Sequence, residues 1–262
     1  RFLSLHLNDF GRGFYDMTQL FKLAGVAAIV GMALTGAARA EDPPSFEWSM
    51  TVGGTSDYIF RGLSLNNEDP AAQGSFDISY GLFYAGIWAS NVSGAGYEPM
   101  EVDLYAGFKP VLGQVTFDFG VIGYLYPVAD DSLDYVELKA GASTELAKSL
   151  NGTVTFYYTP DADNYPETWT VEGLLAYELP AIHIFTPTVS AGVGYSDDMN
   201  NVGAFTSVDD SYVYWNAGIA FAVEKFTFDF RYWDTNIDQV SGDVYTGLSD
   251  QRFVFTAKAT LP

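Results

Sequence analysis

Phe46-Glu47-Trp48-Ser49-Met50-Thr51-Val52-Gly53-Gly54-Thr55-Ser56-Asp57-Tyr58-Ile59-Phe60-Arg61 is the stretch that decides the fold. Phe46, Trp48, Met50, Val52, Ser56, Tyr58 and Phe60 share one face, and Glu47, Ser49, Thr51, Thr55, Asp57 and Arg61 share the other. A period of two over this length describes a strand whose faces meet two different solvents. At ~3.3 Å per residue and a tilt of ~40°, Trp48 and Tyr58 stand roughly 25 Å apart along a membrane normal. That is the height between two aromatic girdles, so Trp48 is predicted at one and Tyr58 with Phe60 at the other. Trp169 and Tyr177 are predicted girdle residues of a later strand.

The same alternation recurs down the chain. Met100, Val102, Leu104 and Ala106 alternate with Glu101, Asp103 and Tyr105; Val115, Phe117 and Phe119 alternate with Thr116 and Asp118. Val136, Leu138 and Ala140 alternate with Glu137 and Lys139; Phe226, Phe228 and Phe230 alternate with Thr227, Asp229 and Arg231. Phe253, Phe255 and Ala257 alternate with Arg252, Thr256 and Lys258. Charged residues keep landing opposite the aromatics. Segment 82–90 is apolar on both faces, so its phase stays open, and Pro187 predicts a bulge or an interruption in the strand over 183–195.

Six long connections, near 62–72, 91–99, 127–134, 160–167, 195–211 and 234–251, alternate with five short ones, which makes twelve strands. The pattern predicts an all-β, transmembrane, antiparallel up-and-down barrel, with short periplasmic turns and long outer loops. A closed barrel leaves no backbone group unpaired in lipid. The long connections hold many acids, among them Glu68, Asp69, Asp130, Asp131, Asp209 and Asp250, and no Lys or Arg. Lys109, Lys148 and Lys225 sit in the short turns.

Upstream of the strands, Met17 opens an export leader. Lys22, an uncharged stretch from Leu23 to Gly36 and Ala38-Arg39-Ala40 predict cleavage after Ala40. Residues 1–16 then form an upstream extension outside the native chain, 17–40 the signal peptide and 41–262 the barrel. The predicted address is the bacterial cell outer membrane, and the predicted neighbours are its lipids, lipopolysaccharide and the barrel insertion machinery. The formal charge of −21, from 12 basic and 33 acidic residues, opposes nucleic acid as a partner and favours cations. There is no Cys, so no disulfide or thiolate metal site exists.

Ser56-Asp57-Tyr58-Ile59-Phe60-Arg61-Gly62-Leu63-Ser64, then Phe83-Tyr84-Ala85-Gly86-Ile87-Trp88, Val102-Asp103-Leu104-Tyr105-Ala106-Gly107-Phe108 and Gly123-Tyr124-Leu125-Tyr126-Pro127 resemble, in order and spacing, the TorF family of Gram-negative porins. The match is good over residues 46–127 and rests on pattern beyond them. The resemblance implies a transport pore and brings neither catalytic residues nor a cofactor.

The inward polar residues Asp57, Arg61, Asp77, Glu101, Asp103, Asp118, Glu137, Lys139, Asp229 and Arg231 are the lumen or constriction candidates. Opposed charges there would order a passing solute or brace the barrel as ion pairs. The leading expectation is passive diffusion of small polar solutes with a preference for cations. One alternative is a plugged barrel with a structural or surface role, in which Trp88, Tyr105, Tyr124, Tyr126 and Trp233 block the bore. Another is a lipid-modifying enzyme resting on His183, the one His after residue 40. Asp198-Met199-Asn200-Asn201-Val202-Gly203 begins like a calcium loop, but Val202 stands where an oxygen ligand belongs, so no metal site is assigned.

Overall fold

Alternation forces each long strand to show a greasy side and a wet side, and the chain satisfies both by closing into a ring. The computed structural model describes residues 44–93, 99–128, 133–161, 165–198, 210–237 and 247–262. β1 (Phe46–Thr55) is followed by two very short strands, β2 (Ile59–Phe60) and β3 (Leu63–Ser64). β4 (Ala71–Tyr80), β5 (Phe83–Asn91) and β6 (Met100–Phe108) come next, with the two-residue β7 (Val111–Leu112) in the turn before β8 (Val115–Leu125). β9 (Tyr135–Ala147), β10 (Leu150–Thr159), β11 (Thr168–Glu178) and β12 (Thr186–Asp198) continue the meander. β13 (Ser211–Val223), β14 (Phe226–Thr235) and β15 (Arg252–Leu261) complete it.

Twelve of these form the wall, every neighbour antiparallel. β1 pairs with both β4 and β15, and β6 pairs with β8, so the ring has no edge. Each ladder bond therefore finds its partner inside the sheet, as a lipid-facing backbone requires. Phe46, Trp48, Met50 and Val52 of β1, Phe76 and Ile78 of β4, and Phe226 and Phe230 of β14 are exposed on the outside. The phase of β5 is settled: Phe83 and Ile87 face out while Tyr84 and Trp88 face in.

Two expectations need correction. The first strand does not run to Arg61. It leaves the ladder after Thr55, and residues 56–70 turn into the bore with β2 and β3 as a hairpin. Tyr58 and Phe60 are therefore interior residues and not girdle residues. The physical reason is pairing: the Tyr58 hydroxyl donates to Glu101 Oε1 at 2.7 Å and its ring lies 5.3 Å from that of Trp88.

The second correction is Pro187. It is the second residue of an uninterrupted β12, opposite Phe221 of β13, and the β11 ladder begins one residue later at Thr188. A proline at a strand start forfeits no needed donor. The register shift in this region falls elsewhere, between Leu150 and Asn151 of β10. The leader and the calcium-like loop from Met199 to Asp209 lie outside the described residues.

Candidate functional site in the bore

The inner hairpin is built on a two-residue turn. Arg61 and Gly62 both have positive φ, 50° and 85°, as a tight hairpin that follows the strand twist requires. Arginine rarely adopts this conformation. Here it is held from several sides. Arg61 Nη2 donates to Glu137 Oε1 and Oε2 at 2.9 and 2.8 Å, and its guanidinium lies 4.7 and 4.8 Å from the rings of Phe60 and Tyr157. The Tyr212 hydroxyl donates to the Arg61 carbonyl at 3.0 Å. A Cβ on Gly62 would stand 2.5 Å from Thr235 Cγ2 and 2.8 Å from Tyr214 Cβ, so only glycine lets the tip approach this wall.

The root of the hairpin is tied on the opposite side. Asp57 accepts from Ser64 Oγ at 2.7 Å and from Arg252 Nη1 at 2.9 Å. Burial raises the Asp57 carboxyl above its ordinary value, against these two partners, which lower it. Glu101 accepts from both Tyr58 and Tyr126. Tyr124 and Thr159 add to the donors around Glu137. Asp103 faces this cluster, and its Oδ1 is buried without a hydrogen-bond partner. At this level every wall strand has a buried inward side chain, from Thr55 on β1 and Ala71 on β4 round to Thr235 on β14 and Val254 on β15. The outer part of the bore is thus filled by the hairpin.

Toward the short turns the bore opens. A cavity of about 460 Å³ is lined by Ser49, Asp77, Tyr84, Tyr105, Lys109 and Lys139, among others. Asp118 of β8 pairs with Lys139 of β9 at 2.7 Å, and Asp229 pairs with Arg231 along β14 at 3.0 Å. Arg231 also donates to Asn216 and Ser190.

One arrangement repeats. Tyr105, Gly86 and Asp77 stand in one transverse row on β6, β5 and β4, and the Tyr105 hydroxyl reaches Asp77 over the glycine. Tyr214, Gly194 and Glu172 do the same on β13, β12 and β11. Tyr84 crosses Gly107 to donate to Asp118 at 2.7 Å. Each ring lies flat on the wall in the space that a side chain on the glycine would occupy. Gly107→Val is expected to lift Tyr84 off Asp118 and cost about 1–3 kcal/mol, the usual penalty of overpacking. Unfolding in detergent micelles measures it, and an unchanged midpoint would refute the close approach.

The structure brings Arg61 and Glu137 together, and Asp57, which joins Arg252 instead of Arg61. It also pairs Asp118 with Lys139 and Asp229 with Arg231 and sets Asp103 near Glu101 and Glu137, while Asp77 lies apart under Tyr105. Trp48 and Tyr177 are exposed on the outside near the short turns, and Trp169 lies near the other end of β11, 5.2 Å from the ring of Tyr195. Arg252, Tyr214 and Glu172 were not singled out from the sequence. Their signal was available only through strand register. Phe60-Arg61-Gly62-Leu63 did carry one, a glycine-containing pair between apolar residues, the usual mark of a tight hairpin.

A closed twelve-strand barrel with a polar bore is the architecture of outer-membrane porins and channels. NanC porin is similar in fold, at 13% identity and a TM-score of 0.55, over 81% of this chain and 100% of NanC. KdgM porin matches at 6% identity and 0.54, over 82% of this chain and 99% of its own. The COG4313 outer membrane channel from Pseudomonas putida matches at 10% and 0.50, over 86% and 97%. No curated protein matches the chain. The chain belongs to the Gcw_chp family, described as bacterial protein of unknown function, which matches over residues 38–261.

Proposed function

We propose that the chain is an outer-membrane channel of porin type that passes small polar solutes by diffusion, with a preference for cations. The observation that carries this reading is the wall itself: a closed ring, apolar outside, with a polar cavity within its lower bore. The resemblance of Ser56–Ser64 and the later motifs to TorF porins points the same way, as does the export leader expected over 17–40. Support for cation preference comes from the acidic outer connections, including Glu68, Asp69, Asp134, Asp161 and Asp250, which would concentrate cations at the mouth. No covalent step is needed. His183 lies exposed in the turn before β12 and makes no side-chain hydrogen bond among the described residues.

The purified protein in a planar bilayer under a potassium chloride gradient is expected to give a reversal potential favouring potassium. A reversal favouring chloride overturns the cation preference. The plugged-barrel reading has one observation in its favour, the filled outer bore, and predicts silence even when the hairpin is removed.

A further inference from the structure

We infer that residues 56–70 are a movable stopper, latched by Arg61 on Glu137, and that the channel conducts when this hairpin withdraws from the bore. The inference rests on the channel reading and adds its regulation.

Three features favour a stopper over a fixed plug. First, the wall does not need the hairpin. The β2–β3 pair is a separate two-stranded sheet, and the ring closes through β1–β4, β1–β15 and β6–β8 without it. Second, the tip is held by side chains. Its grip on the wall is Arg61 Nη2 on both carboxylate oxygens of Glu137, the Tyr157 ring against the guanidinium and the Tyr212 bond to the Arg61 carbonyl. Arg61 Nε remains buried without a hydrogen-bond partner, so the charge is incompletely satisfied in place and gains hydration on leaving. Third, the segment is mixed: Tyr58, Leu63 and Leu65 are buried against the wall, while Asp57, Arg61, Asn66, Asn67, Glu68 and Asp69 would be hydrated outside the mouth. A cavity lined by Asp77, Lys109 and Lys139 among others lies toward the short turns.

Arg252 ties the root of the hairpin through Asp57 and Glu68, but the tip has a single ion pair, and a two-state latch of this kind responds strongly to loss of either charge. Glu137→Gln keeps the side-chain size and leaves Arg61 buried without its counter-charge.

Single-channel recording in planar bilayers tests the stopper, with folding of each variant checked by heat-modifiable gel migration. Glu137→Gln is expected to raise time-averaged conductance by about tenfold or more, as loss of a buried charge partner implies. A deletion of residues 59–64 separates the two readings. If the deletion conducts while Glu137→Gln matches the unaltered chain, the stopper is wrong and the channel stands. If the deletion is silent, both are wrong.

Discussion

Arg252→Met is expected to destabilise the folded barrel by about 3–5 kcal/mol, the cost of leaving a buried charge without its partner. Arg252 Nη1 stands 2.9 Å from Asp57 and 3.3 Å from Glu68, its Nη2 donates to the Gly247 carbonyl at 2.7 Å, and its Nε donates to the Asp250 carbonyl at 2.9 Å. The Arg252 and Asp57 side chains are 10% and 6% exposed, so water cannot take over the lost contacts. Methionine keeps much of the packing volume and removes the charge. The penalty has a pH signature. Burial already raises the Asp57 carboxyl, and losing Arg252 removes two influences that lower it. Protonated Asp57 needs no counter-charge, so the difference between variant and unaltered protein should shrink as pH falls. Urea unfolding in micelles at neutral and acid pH reads both. A loss below about 1 kcal/mol at neutral pH would remove Arg252 as an anchor, since that is the range of an exposed pair.

Phe230→Arg is the second large effect, an expected loss of about 2–4 kcal/mol, the cost of a guanidinium on the lipid face near the bilayer midplane. Phe230 lies midway along β14, is 51% exposed and meets Phe255 of β15 at 4.8 Å between ring centres. Ala220 on β13 is its control. It stands opposite Asp229 on the inward face, where a lysine meets water and a carboxylate. Ala220→Lys is expected to change stability by less than about 1 kcal/mol, as polar changes inside a wet lumen generally do. Refolding into lipid vesicles across a urea series compares the two. Equal losses would contradict the assignment of faces.

The wall was legible because its physics is periodic. Alternation over Phe46–Thr55 or Phe226–Arg231 reports two solvents, and the rhythm of short and long connections counts the strands. The path of Ser56–Ser64 was not legible. A hairpin packed against a wall also needs one side apolar and one side polar, so Tyr58 and Phe60 prolong the alternation of β1 after the ladder has ended. The Arg61-Gly62 pair is the one local sign that distinguishes the two cases. What distinguishes them beyond it is Glu101 waiting for Tyr58 and Glu137 waiting for Arg61, 43 and 76 residues away in sequence. The girdle assignment failed at Tyr58 and Phe60 for that reason. Likewise Asp57 and Arg61 look like partners four residues apart, yet the turn sends their charges to β15 and β9.

The tyrosine rows have a consequence for assembly. A bond from Tyr105 to Asp77, or from Tyr214 to Glu172, skips a strand and exists only when three consecutive strands are aligned together. A slip of one residue in β6 would set Ala106 or Phe108 against Tyr84 in place of Gly107 and turn every neighbouring side chain to the wrong solvent. The aromatic hydroxyls thus act as proofreaders, since a misaligned triplet leaves both a carboxylate and a phenol unanswered in the growing wall.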